Sequence, residues 1–195
     1  MDKLHSMGLG LACVVLLFSA TGTALAGTEN VVPSCYQANH IKHYSASYDK
    51  LVYVLIDQTV QLDATLKRSV LSNMLHVLDP GTKFVVAEFS AFSQGHYLQV
   101  PRTGIIESPI PPGHVGDVVM TRLQSFRTCL KNQKAYARNL ALKTAYAAMA
   151  GSTSSLNHSD ILVALKTVAD TIGSDNAKQK LLFLVSDGLE NSTVT

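Results

Sequence analysis

Two unbroken apolar runs, each ended by an aspartate, limit this chain more than any other feature. Leu51-Val52-Tyr53-Val54-Leu55-Ile56 leads into Asp57, and Leu181-Leu182-Phe183-Leu184-Val185-Ser186 leads into Asp187. Alternating hydrophobicity marks strands with one wet face. Continuous hydrophobicity over about six residues marks strands buried on both faces, the condition of a parallel sheet covered by helices. Open sheets of that kind build their ligand sites just beyond the carboxyl ends of their strands. A carboxylate at each of two such ends is the beginning of a site for a hard cation.

With 195 residues, 47% hydrophobic and 15% charged, the chain suits one domain with a sizeable core. Its formal charge of +2 gives no argument for a nucleic-acid partner, which needs Lys and Arg clustered on one face. The N-terminus reads as a signal peptide over residues 1–26. Lys3 and His5 precede the apolar stretch Leu9 to Phe18, and Ala24-Leu25-Ala26 supplies a small-residue cleavage site. The stretch is short of the roughly 20 residues a bilayer span needs, so no stable membrane span is expected after cleavage. The mature chain is expected to be periplasmic or secreted. Cys13 lies inside the apolar stretch, not after it, which argues against a lipoprotein cysteine. In an oxidising compartment the remaining Cys35 and Cys129 pair by default. Two buried free thiols are the alternative, and Cys35 with His40 and His43 matches no common zinc spacing.

Residues 27–48 form a polar lead-in and 49–195 the domain. After the strand ending at Asp57, Ala64 to Leu78 carries Leu66, Val70, Met74, Leu75 and Leu78 near helical spacing, and Asp79-Pro80-Gly81 stops it. Lys83 to Phe89 reads as a second buried strand, and Tyr97 to Ile106 as a third whose Pro101 suits a sheet edge. A linker with Pro109, Pro111, Pro112 and Gly113 precedes a long helix with a stripe of Leu123, Phe126, Leu130, Ala137, Leu140, Thr144 and Ala147. Arg122, Arg127, Lys131, Lys134, Arg138 and Lys143 lie largely off that stripe as a solvated basic face. Ser159-Asp160 then opens a helix over Ile161, Leu162, Leu165, Val168 and Ile172, which Gly173 closes before the last strand. This βαβ alternation predicts a doubly wound, mainly parallel sheet with helices on both faces.

The order of these motifs resembles the von Willebrand factor A domain. A strand runs into Asp57-Gln58-Thr59-Val60-Gln61, Ser159-Asp160-Ile161 later opens a helix, and Val185-Ser186-Asp187-Gly188 follows. The resemblance covers Leu51 to Thr195 and is carried most by the two aspartates. It implies a metal-ion-dependent adhesion site. Asp57 matches the first motif residue, Thr59 the first hydroxyl, Ser159 the second-loop hydroxyl and Asp187 the last acidic residue. Gln61 stands where the family has its second serine. Its longer amide reaches the ion or blocks it, and magnesium tolerates misplaced ligands poorly. A strand order of 3-2-1-4 would set the exits of the first and fourth strands side by side at the switch point. The set is oxygen-only, suited to Mg2+, Mn2+ or Ca2+. The partner implied is a protein that fills the ion's open position with an acidic side chain.

A structural or assembly module of the cell envelope with a non-functional metal site is the alternative. Catalysis is not expected. Strand-end phosphatases place a second Asp where this chain has Thr59, so the proton donor is missing, and no G-x-S-x-G nucleophile elbow occurs. A metal-dependent hydrolase is the remaining enzymatic reading. The family sheet extends beyond its fourth strand, so the chain reads as truncated at its C-terminus. An exposed edge there invites strand addition by another chain. Asn191-Ser192-Thr193 matches a short glycosylation pattern.

Overall fold

In the computed structural model, which describes residues 29–42, 47–91, 98–156 and 158–192, the first apolar run becomes β1 (Lys50–Asp57). The expected signal segment 1–26, with Cys13, and residues His43, Tyr97 and Thr193 lie outside the described residues. β1 is buried from Leu51 to Asp57 because it has a strand on each side and side chains packed on both faces. The neighbours are β2 (Thr82–Phe89) and β4 (Gln179–Val185), both parallel to it. β3 (Leu98–Ile106) lies antiparallel on the far side of β2, giving a mixed open sheet of order β3-β2-β1-β4. Its α/β class and the adjacency of the first and fourth strands are as the sequence suggested.

The remaining elements are α1 (Cys35–Ala38), α2 (Ala64–Val77), α3 (Met120–Gly151) and α4 (Ile161–Ser174). On one face Val52, Val54, Ile56, Phe84 and Val86 pack with Met74 of α2 and a row of alanines on α3. On the other, Tyr53, Leu55, Val85 and Ala87 pack with Ile161, Ala164 and Val168 of α4. Local signals set the helix ends. Asp63 accepts from Thr65 N and Leu66 N at 2.7 and 2.8 Å, a cap of the kind worth about 1 kcal/mol. Gly81 ends the following turn at φ 80°, a left-handed conformation costly for other residues. Its N–H donates to Ile106 O at 2.8 Å, and its carbonyl accepts from Lys50 N at 3.1 Å. At the other end of α4, Lys83 and Asp175 pair at 2.8 Å. Burial pushes the Asp175 carboxyl up, but hydrogen bonds from Lys83 and the Ala177 backbone outweigh it and hold the group below the usual carboxylate range.

Three elements depart from the sequence pattern. On α3, Leu123, Phe126 and Ala137 are buried as expected. Beyond them the buried positions are Ala141, Ala145, Ala148 and Met149, whereas Leu140 and Thr144 are half-buried and Ala147 is exposed. Alanine lets the helix axis approach the sheet, so the face with the least bulk is the one that packs. On β4, Leu182 and Leu184 are exposed because the strand is an edge with little above it on the α4 side. On α2, similarly, Met74 is buried while Leu66 and Leu75 face solvent.

The lead-in is fastened to the first half of α3. Cys35 and Cys129 form a disulfide across 94 residues, which sets aside the free-thiol and zinc readings of Cys35. Around it Tyr36 and Phe126 pack with ring centroids 4.6 Å apart and their planes tilted by 58°. Beneath it lies a buried polar knot. Glu107 Oε2 accepts from Cys35 N at 2.7 Å and from Gln133 Nε2 at 3.1 Å, and Gln133 Nε2 also donates to Pro33 O at 2.8 Å. No helix among the described residues is long and apolar enough to cross a membrane.

One close approach gives a test of the core. Gly104 lies opposite Phe84 in the β2–β3 ladder, and a Cβ there would sit 2.4 Å from the Phe84 ring and 2.7 Å from Val32 Cγ2. Overpacking of this kind costs about 1–3 kcal/mol. Gly104→Ala is therefore expected to lower the free energy of unfolding by that amount, seen as a lower urea midpoint at unchanged m-value. A neutral result would mean that Phe84 swings aside freely.

Candidate functional site

Asp57 ends β1 beside the exit of β4, at 1% exposure. Four donors hold its carboxylate. Thr59 Oγ1 and Thr59 N reach Oδ1 at 2.7 and 2.9 Å, and the hydroxyls of Ser159 and Ser186 each reach Oδ2 at 2.9 Å. No Lys, Arg or His pairs with Asp57 among the described residues. A buried charge without a counter-ion costs several kcal/mol unless hydrogen bonds replace its water, and here hydroxyls and one backbone amide do so.

The loops carrying these donors are tied to one another. Gln58 N donates to Phe89 O at 2.8 Å, its carbonyl accepts from Thr153 N at 2.9 Å, and its side chain donates to Ala148 O at 3.2 Å. The turn after β1 is thereby fixed to the end of β2 and to the end of α3. Ser159 and Asn191 exchange two backbone hydrogen bonds at 3.2 Å, which folds the segment after β4 back onto the start of α4. That segment also finishes the helix. Asp160, the N-cap residue of α4, makes no capping bond to it, and Glu190 Oε2 accepts from Leu162 N at 3.1 Å instead.

Of the five residues singled out from sequence, Asp57, Thr59 and Ser159 meet within hydrogen-bond distance. Asp187 stands next in chain to Ser186 but is exposed, with Oδ1 accepting from Leu189 N at 2.9 Å. Gln61 is exposed and makes no hydrogen bond among the described residues. Ser186 was not singled out, because it closes an apolar run and reads there as the last strand residue. Its Oγ donates to Asp57 and accepts from Gly188 N at 3.0 Å, joining the carboxylate to the turn that holds Asp187. A hydroxyl interrupting the run immediately before an aspartate is the signal that could have found it.

The donors are all oxygen: one buried carboxylate, three hydroxyls and an exposed carboxylate nearby. In kind they fit magnesium, manganese or calcium. No group of three or more His, Cys, Asp or Glu among the described residues is placed to hold a metal ion. Any such site is therefore hydroxyl-rich. Beside it a cavity of about 380 Å³ is lined by Gln58, Glu88, Gln99, Gly151, Thr153, Ser155 and Leu156, a polar cleft between the turn after β1 and the end of α3.

No protein-family model matches the chain, and neither curated proteins nor solved structures give a significant match.

Proposed function

We infer that this chain is an exported binding module of the von Willebrand factor A type, with a doubly wound sheet whose β1 and β4 exits form the contact site for a protein partner. One observation carries the reading: Thr59 and Ser159, chosen with Asp57 by motif order alone, both hydrogen-bond to its carboxylate. Asp57, Thr59, Ser159 and Asp187 would hold Mg2+, Mn2+ or Ca2+, and Gln61 lies outside the set. When bound, the ion would supply a fixed positive charge for a partner's carboxylate. The chain's own contribution is to hold Thr59 and Ser159 in place and to keep water from Asp57. The neighbouring cleft gives room for side chains flanking that carboxylate. No catalytic role is part of this reading.

A structural module with an inactive metal site is the second reading. It is favoured by the saturation of Asp57, whose two oxygens already accept four hydrogen bonds. Thermal unfolding of the full chain with magnesium, manganese or a chelator separates the two, with Asp187→Ala beside it. A metal that binds only the folded state stabilises it by about 2.7 kcal/mol at a hundred times its dissociation constant. The metal-dependent rise should disappear in Asp187→Ala with little change in the metal-free midpoint, because Asp187 is exposed. Gln61→Ser should strengthen the response. A midpoint indifferent to metal in all three proteins would sink the adhesion-site reading and leave the structural one.

A further inference from the structure

Arg102 stands on a face of the sheet that is otherwise largely apolar. It opposes Val86 in the β2–β3 ladder, so its side chain lies on the side of Val54, Phe84 and Val86, which α3 covers. The residue is half-buried, and its Nε is shut off from solvent without a hydrogen-bond acceptor. Among the described residues its side chain forms no ion pair either. A guanidinium drawn partly out of water with an unmatched donor is costly to a fold. Held there at that cost, it marks a place where an anion arrives.

That place is open. Arg102 lines a cavity of about 540 Å³ between the sheet and the last turns of α3, with Lys143 beside it and Ala147 and Ala148 as a wall of little bulk. Gln58, Glu88 and Gly151 border this cavity and also the cleft of about 380 Å³ described above, so the two run together as one groove. Glu88 makes no salt bridge to Arg102. Both cations border the larger cavity alone, which makes that end of the groove the cationic one.

We propose that the groove takes an extended acidic segment of a polypeptide, with one carboxylate of that segment held by Arg102. Guanidinium and carboxylate meet as matching planar forks, and Lys143 adds a second charge nearby. A polypeptide fits better than a small free acid because the groove continues past the cations into a stretch bordered by Gln58, Gln99, Thr153 and Ser155. Those amides and hydroxyls both donate and accept, as a peptide backbone requires. That the segment belongs to the partner of the Asp57 site rests on the reading above. The groove itself needs no metal, since none of Asp57, Thr59, Ser159 and Asp187 lines it.

Fluorescence anisotropy of labelled hexaglutamate with the full chain, in chelator and at low salt, tests this. Saturable binding is expected, and Arg102→Gln should weaken it at least about tenfold, the effect of losing a charge-assisted hydrogen bond. Arg102→Lys should weaken it nearly as much, because lysine keeps the charge and loses the fork. Asp187→Ala should leave it unchanged, as should Arg127→Gln, which lies outside the groove on an exposed position of α3. Without peptide, Arg102→Gln should unfold at a midpoint no lower than the parent's, so a loss of binding there is not a loss of fold. Absence of saturable binding overturns the proposal. So does undiminished affinity in Arg102→Gln, an equal loss in Arg127→Gln, or uptake of succinate in place of the peptide. Peptide binding in a chain whose unfolding is indifferent to metal would remove the adhesion site and leave the groove standing.

Discussion

Reducing the Cys35–Cys129 disulfide is expected to lower the free energy of unfolding by about 2–5 kcal/mol, the largest single effect available in this molecule. The bond closes a separation of 94 residues. Chain entropy alone gives about 4.7 kcal/mol for a loop near that length, and native-state strain or residual structure takes some of it back. The loss is not spread evenly. Glu107 accepts from Cys35 N, and Gln133 bridges Glu107 to Pro33, so loosening the lead-in leaves a buried carboxylate with fewer donors. Urea unfolding with and without reductant, beside Cys35→Ser with Cys129→Ser, measures it. The substituted protein should match the reduced one. Equal stability in both redox states would show that the lead-in is held by Tyr36, Phe126 and the polar knot without help from the covalent link.

Asp57→Ala should cost about 3 kcal/mol in the absence of any metal, because removing the carboxylate leaves the hydroxyls of Thr59, Ser159 and Ser186 and one backbone N–H with nothing to donate to. Two of those hydroxyls are aimed at a single oxygen, Oδ2. Asp57→Asn keeps the volume but cannot offer acceptors at both ends, so its loss should be smaller and still clear. The same variants should lose any response to magnesium. Chemical denaturation in chelator followed by titration with metal keeps the two effects apart. If Asp57→Ala were as stable as the parent, the four hydrogen bonds would be contributing nothing net, and the case for a preorganised site would fail with them.

The parts legible in sequence are those where one residue type answers to one physical need. An unbroken apolar run needs cover on both sides, and β1 has it. Asp79-Pro80-Gly81 has to turn, and it does, with Gly81 at positive φ. The convergence of Asp57, Thr59 and Ser159 was legible for a different reason, through the motif order of the resemblance, and the fold brings the three within hydrogen-bond distance. What could not be read depended on neighbours distant in sequence. The packed face of α3 was chosen by how closely alanine lets the helix approach. The exposure of Leu182 and Leu184 follows from the position of β4 at an edge, which no local pattern announces. Ser186 was hidden by its own context, because within a strand a serine reads as filler and only the fold shows it turned toward Asp57. Glu190 is similar: capping of α4 from a segment after β4 leaves no motif, since the helix and its cap lie 28 residues apart.

The donors to Asp57 lie 2, 102 and 129 residues away along the chain. A cluster assembled over such spans cannot exist in any partly folded intermediate that lacks the last strand. Contacts of that range form late, after the cost of closing long loops has been met. The site therefore acts as a completion mark for the fold. Before β4 docks beside β1, the Oδ2 oxygen of Asp57 lacks the Ser186 hydroxyl, and Ser159 lacks the Asn191 backbone that holds it. On the reading proposed above, in which the chain is exported and holds a protein partner at this site, that order of assembly would keep the partner from engaging until β4 had docked.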